Sequence, residues 1–192
     1  DLTLSARPTQ PLLLQGRDGF SQKSPQATQA SHYYSQPQLA VRATLRMDGA
    51  TREASGIAWL DHEWSSSVLD ADAVGWDWIG MNLADGSALT AFQIRSKTAG
   101  RAVHGYASLR QAGGPVLVYQ GDAVRFEAVS TWRSPRTNAI YPVAQRVRVD
   151  DRTFETRPLM NDQELDSRAS TGSVYWEGAS TLLEGGRTAG RG

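Results

Sequence analysis

Alternation is the feature of this sequence that most narrows its fold. Along Leu39, Val41, Ala43, Leu45 and Met47, apolar side chains occupy every second position, with polar or small residues between them, and Asp48-Gly49 follows shortly after. A period of two puts those five side chains on one face of an extended strand, and Asp-Gly suits a two-residue hairpin turn. The pattern recurs. Ser55–Trp64 reads as the returning strand, and Gly75–Leu83 with Ser87–Arg95 reads as a second hairpin about Asp85-Gly86. Further strands are expected at Leu2–Leu4, Ala102–Leu109, Val116–Tyr119, Val124–Val129, Tyr141–Val149, Thr153–Pro158, Ser173–Glu177 and Ala179–Leu183. Helical signal is confined to one turn near Asn161–Asp166.

Around ten short strands joined by tight turns describe an all-β sandwich or an antiparallel barrel, and consecutive hairpins favour the barrel because closure removes unpaired edges. The stretch from Gln15 to Pro37 is different: it is rich in Gln, Ser, Gly and Pro and lacks periodicity. It is expected to connect a preceding structural unit to the main domain, giving residues 1–37 as the end of that unit with its linker and 38–192 as the barrel. The closing residues, Gly185 to Gly192, read as a turn leading into a final strand beyond them. Together with an Asp at position 1, they suggest a piece of a longer protein.

Composition removes several classes of function. The 192 residues are 40% hydrophobic and 21% charged, enough to bury a core and unlike a disordered chain. Twenty basic and twenty acidic side chains leave no excess of cation for a phosphate backbone, so no nucleic-acid partner is expected. The absence of Cys excludes a disulfide scaffold, a thiolate nucleophile and a Cys-ligated zinc. The longest apolar runs, such as Pro11–Leu14, are far too short for a membrane span. There is no G-x-S-x-G elbow and no glycine-rich phosphate loop, and Ser65–Ser67 reads as an ordinary loop.

What remains is a crowd of tryptophans beside carboxyls. Four of the six Trp fall between Trp59 and Trp78. In Gly56–Trp64, strand parity puts Asp61 and Glu63 on one face with Trp59, and His62 and Trp64 on the other. In Gly75-Trp76-Asp77-Trp78 the two indoles share a face, beside Asn82, and Asp77 opposes them. Tyr175-Trp176-Glu177-Gly178 repeats the pairing of aromatic residues with a carboxyl, and Arg95 is a natural counter-ion for one of these acids. Two readings fit. Either the clusters form an acid/base site in an aromatic pocket, where partial desolvation raises a carboxyl pKa, or the indoles are packing and the charges are solvated or paired. His32, His62 and His104 show no metal-ligand spacing, so neither a metal nor another cofactor is expected.

These motifs, in this order, resemble a known family. Gln15-Gly16, Lys23, Ser31–Pro37, Gly56–Trp64, Gly75–Trp78 and Tyr175–Gly178 are similar to the AttH-like "predicted secreted hydrolases", relatives of the carotenoid 1,2-hydratases. The resemblance implies tandem lipocalin-like barrels, this chain being similar to the second with its linker. It also implies a periplasmic or secreted location and an envelope role beside ABC-transporter components. Hydratase relatives protonate an alkene of a long apolar substrate and shelter the resulting cation with aromatic walls. Carried over, His62 and Trp64 match the His and Trp of that pocket, and Asp77 is the candidate acid, with Glu63 and Asp61 beside it. Trp64, Trp76, Trp78, Arg95, Tyr175, Trp176 and Glu177 become candidate ligand contacts. This sequence has Trp76 and Trp78 where the hydratases place a Tyr near the acid. The expected function is binding of a hydrophobic small molecule or lipid with acid/base hydration or hydrolysis, or else carriage of such a ligand without chemistry.

Overall fold

The computed structural model describes residues 1–26, 28–65, 72–98, 101–169 and 172–192; Ser66 and Ser67 of the serine run lie outside them. Its regular structure is β throughout, apart from a 3-10 turn at Gly121–Ala123.

The first sheet is built on a long hairpin. β1 (Leu2–Arg7), β2 (Leu13–Leu14) and β3 (Phe20–Gln22) each pair antiparallel with β4 (Ala30–Met47), whose other edge pairs with β5 (Ala50–Trp64). The β4–β5 turn is Asp48-Gly49, both residues at positive φ (52° and 74°), as a tight hairpin requires. The expected connector over Gln15–Pro37 is therefore not irregular: from Ala30 onward it is strand, and a division at residue 37 falls inside β4. The strand is hard to read because its buried positions include Ser31, Ser35, Gln36 and Gln38, polar residues satisfied by hydrogen bonds instead of apolar ones with a visible period.

The second sheet has nine antiparallel strands. They are β6 (Ala73–Leu83), β7 (Ala88–Ser96), β8 (Ala102–Arg110), β9 (Val116–Gln120), β10 (Val124–Arg133), β11 (Ile140–Val149), β12 (Arg152–Pro158), β15 (Ser180–Glu184) and β16 (Arg187–Arg191). Their order is β10-β11-β12-β15-β16-β6-β7-β8-β9. The two ends of that path follow one another in sequence, and β10 packs against β7 and β8, so the sheet curls round on itself. Its interior is filled by alternate residues: Ile79, Met81 and Leu83 from β6, Leu89 and Ala91 from β7, with Phe126, Val147, Phe154 and Leu182 opposite. The turn expected near the close of the sequence is Gly185-Gly186, and β16 returns from it to pair Gly190 with Leu83 of β6.

A separate hairpin, β13 (Glu164–Ser167) with β14 (Ser173–Trp176), occupies the region where a helical turn was expected. Glu164 is drawn instead into a cluster of donors from the β10–β11 loop and the start of β11: Ser134 Oγ at 2.7 Å, Arg136 Nε at 3.1 Å, the Thr137 hydroxyl, and Tyr141 Oη at 2.8 Å.

The two sheets are joined by side chains that bond to backbone and to one another. Gln38, at φ 53° in a break of the β4–β5 register, donates its backbone N–H to Asn82 Oδ1 of the other sheet at 2.7 Å. Its side-chain amide donates to Leu83 O and Ser87 O at 3.0 and 2.9 Å. Fully buried Gln15 donates to Ser35 Oγ and Thr90 Oγ1, both at 2.9 Å, and accepts from Ser108 Oγ at 2.8 Å. These bonds fix the seam where β4 and β5 meet the outer face of β6–β8.

Candidate functional site

Strand β5 turns Trp59, Asp61 and Glu63 into that seam. Asp61 Oδ1 accepts from Ser35 Oγ at 2.5 Å and Tyr33 Oη at 3.1 Å, while Oδ2 accepts from Trp59 Nε1 at 2.8 Å. The phenol of Tyr33 in turn accepts from Trp78 Nε1 at 3.0 Å, so its proton is directed at Asp61. Ser35 is oriented in the same way: its oxygen takes the Gln15 amide proton, leaving its own for Asp61. The indoles of Trp59 and Trp78 both cover Gly80 of β6, where a Cβ would stand 2.9 and 2.7 Å from their ring atoms. Glycine is what lets the two rings meet across the seam.

Two residues along, Glu63 Oε1 lies 2.7 Å from Lys23 Nζ and accepts from the Ser31 hydroxyl. The Lys23 ammonium also donates to Ser21 Oγ at 3.1 Å and stands 4.2 Å from the centroid of Phe92 and 4.9 Å from that of Tyr33. Ring faces and one carboxylate are the two kinds of partner that compensate a desolvated cation.

These surroundings act on the protons. The protein packed around Asp61 pushes its carboxyl pKa up, against the Ser35, Trp59 and Tyr33 donors that favour the anion, although solvent still reaches the side chain. Burial, reinforced by the Asp61 charge, raises Tyr33 and keeps it a phenol. Burial lowers Lys23, opposed by Glu63 and then Asp61. His104 on β8 is likewise lowered, by burial and then by the Lys23 charge. The seam thus holds a carboxyl with heightened proton affinity, an oriented phenol and an ion pair, walled by Trp59, Trp78, Tyr33 and Phe92. That set can donate a proton and take one back.

The other expected residues fall elsewhere. His62 and Trp64 lie on the opposite face of β5, where rings form a ladder across the sheet: Phe20–His32, His32–Trp64, His62–Trp64 and Tyr34–His62, with centroids 6.2, 5.4, 5.0 and 5.3 Å apart. His62 therefore shares neither a face nor a hydrogen bond with Asp61 or Glu63, and the three do not form a ligand set. Asp77 points into the curled sheet, where it pairs with Arg95 Nη1 at 3.3 Å and accepts from Gln145 Nε2 at 2.9 Å. Burial raises its pKa, opposed first by Arg95. Trp78 faces the seam, on the other side of the same strand. Trp76 is exposed and lies 6.2 Å, centroid to centroid, from Tyr175 on β14. Trp176 Nε1 donates to Asn161 O at 2.7 Å, and Glu177 ties its backbone N–H to Gln163 O at 3.2 Å, so both anchor the β13–β14 hairpin. Of the expected residues, the structure brings together Asp61, Glu63 and Trp78. It adds Lys23, Tyr33, Ser31, Ser35 and Gln15, which the motif string contains without any signal of their role.

Comparison with known proteins agrees with this architecture. A crystal structure of an AttH protein from Nitrosomonas europaea is 52% identical and superposes with a TM-score of 0.92, covering all of this chain and 60% of that one. Kievitone hydratase from Nectria haematococca superposes with a TM-score of 0.74 over 98% of this chain and 58% of its own, at 17% identity, a likeness of fold alone. This chain thus spans about three fifths of the length of both structures. No curated protein matches the sequence. The expected all-β, lipocalin-like fold is what the strands form, and the family model for AttH-like proteins matches residues 1–192: the chain belongs to the AttH-like family.

Proposed function

We propose that this protein binds a long apolar molecule, a lipid or an isoprenoid, and adds water to it or hydrolyses it by acid/base catalysis at the seam, with Asp61 as the proton donor. The observation that carries this reading is the setting of Asp61: a carboxyl of raised pKa whose hydrogen-bond donors Ser35, Tyr33 and Trp59 are all neutral, beside two indoles. In the hydration form, the Asp61 proton goes to one alkene carbon and leaves a cation on the other. The faces of Trp59 and Trp78 stabilise that cation, water adds to it, and the water's proton returns to the Asp61 carboxylate. Asp77, paired to Arg95 inside the curled sheet, is not needed for this step, and His62 on the far face of β5 does not reach it.

The experiment is incubation with an acyclic isoprenoid alcohol and with a long-chain ester in 18O-labelled water, followed by mass spectrometry. Labelled product from the wild type, reduced by at least about a hundredfold in Asp61→Asn, is the expected result for a lost general acid. Product formation undiminished in that variant overturns the assignment.

A second reading rests on the same bonds. Every oxygen of Asp61, and Oε1 of Glu63, has a partner, as befits acids that hold the seam together. The protein is then a carrier of hydrophobic ligand in the periplasm, serving an ABC-transport system and working with a preceding barrel of the same polypeptide. Ligand recovered unchanged from the labelled-water experiment distinguishes it.

A further inference from the structure

Behind the seam, on the other side of β6 and β7, lies a cavity of about 780 Å³ with an uneven charge. The whole chain is neutral, yet five arginines line this space, Arg95, Arg101, Arg125, Arg146 and Arg148, against the two carboxyls of Asp77 and Glu127. The available acids compensate them incompletely. Arg146 keeps 3.7 and 3.9 Å from Glu127 and Glu155, and among the described residues Arg148 donates to backbone carbonyls, those of Asp122 at 2.7 Å and Asp150 at 3.3 Å. Arg125 pairs with Asp122.

Arg95 is the most informative of the five. Its Nη1 is a long 3.3 Å from Asp77, and its Nε is buried with no hydrogen-bond partner among the described residues. A buried guanidinium N–H without an acceptor is costly. The backbone also makes room for this group: Gly75, at φ 149°, leaves open a position where a Cβ would stand 2.6 Å from Arg95 Nη2. Asp77, Gln93 and Gln145 hold the polar side of the space, while Val74, Phe126, Ala128 and Pro142 supply apolar wall.

We infer that this cavity binds an oxyanion, a carboxylate or phosphate, carried on an apolar body. Guanidinium groups present planar pairs of N–H donors matched to such an anion, and the Arg95 guanidinium, whose side chain is 40% exposed, is held by Asp77 only at a long 3.3 Å. The volume lies in the range of small-molecule sites. The site is independent of the chemistry at Asp61, because strands β6 and β7 separate the two. Absence of turnover at the seam leaves it standing.

The test is isothermal titration calorimetry with dodecyl phosphate below its micelle-forming concentration, with inorganic phosphate, and with dodecyltrimethylammonium. Saturable binding of dodecyl phosphate is expected. It should weaken as salt rises, fall by about tenfold in Arg95→Gln, and fall severalfold in Arg101→Ala. The second variant alters an exposed side chain, so it decides the matter if the first fails to fold. Inorganic phosphate binding about tenfold more weakly identifies an amphiphile's headgroup as the ligand; equal affinity identifies a free anion. Failure of both phosphates to saturate, binding unchanged in both variants, or equal binding of the cationic detergent overturns the proposal.

Discussion

Asp61 and Asp77 occupy similar sequence contexts, each a carboxyl among tryptophans on a strand, and the folded chain gives them opposite company. Asp77 is held by the Arg95 cation and the Gln145 amide, whereas Asp61 is held by a serine, a phenol and an indole. Because the folded state raises the Asp61 pKa, it retains that proton more tightly than the unfolded chain does. The residue's contribution to stability is then fully present below the ordinary carboxyl value of about 3.9 and is lost as pH rises through the raised one. Carbon-13 NMR of the side-chain carboxyl should give a midpoint above that ordinary value. Trp59→Phe, which removes a donor to the anion, should move the midpoint higher still; a midpoint at or below 3.9 contradicts the account of the site. The ordering of these two acids was not legible in the sequence: parity along each strand was, and it correctly set Asp61 apart from His62 and Asp77 apart from Trp78.

At the scale of elements, the β13–β14 hairpin shows how a polar network decides local structure. Near Asn161–Asp166 the sequence suggested a helical turn, but four donors, three from the β10–β11 loop and Tyr141 of β11, converge on Glu164 and hold its segment extended. Desolvation opposes its ionisation, and the bonds from Thr137, Ser134, Tyr141 and Arg136 overcome this and take its pKa down to about 2. For a carboxyl depressed in the folded state, the stabilisation is present above the unfolded value and lost as pH falls through the folded one. Thermal unfolding should therefore show the wild-type melting temperature dropping between about pH 4.3 and pH 2. Glu164→Gln should melt lower at neutral pH and show a shallower acid limb. A variant with the wild-type acid profile would remove Glu164 from the account. The donors lie 23 to 30 residues away in sequence, which is why no local pattern revealed them.

For the whole molecule, the decisive contacts are those that tie two sheets into one body. Gln15 is buried at their junction and bonds β4, β7 and β8 at once through Ser35, Thr90 and Ser108. Gln15→Leu keeps the bulk and deletes all three bonds, leaving three buried hydroxyls short of a partner. A cost of about 2 kcal/mol or more follows at roughly 1 kcal/mol per bond, and urea denaturation measures it. Ser35 also loses the bond that directs its proton to Asp61, so the carboxyl titration should shift in the same variant. A destabilisation well under 1 kcal/mol would show that the sheets are held mainly by apolar packing.

By itself, the sequence determined the strand character of the chain, most of the hairpin turns, and which side chains share a face within each strand. Those follow from the period of two and from the few residues that tolerate positive φ, both of them local properties. Tertiary structure alone decided that β4 continues through a Ser- and Gln-rich stretch, and which strand faces meet. It also decided that Lys23, Tyr33 and Ser35 join Asp61 and Glu63 while His62 and Asp77 are turned away. Alternation says that a residue is on one side of a strand; what covers that side depends on pairings between segments far apart in the chain, made by hydrogen bonds that leave no trace in local hydrophobicity.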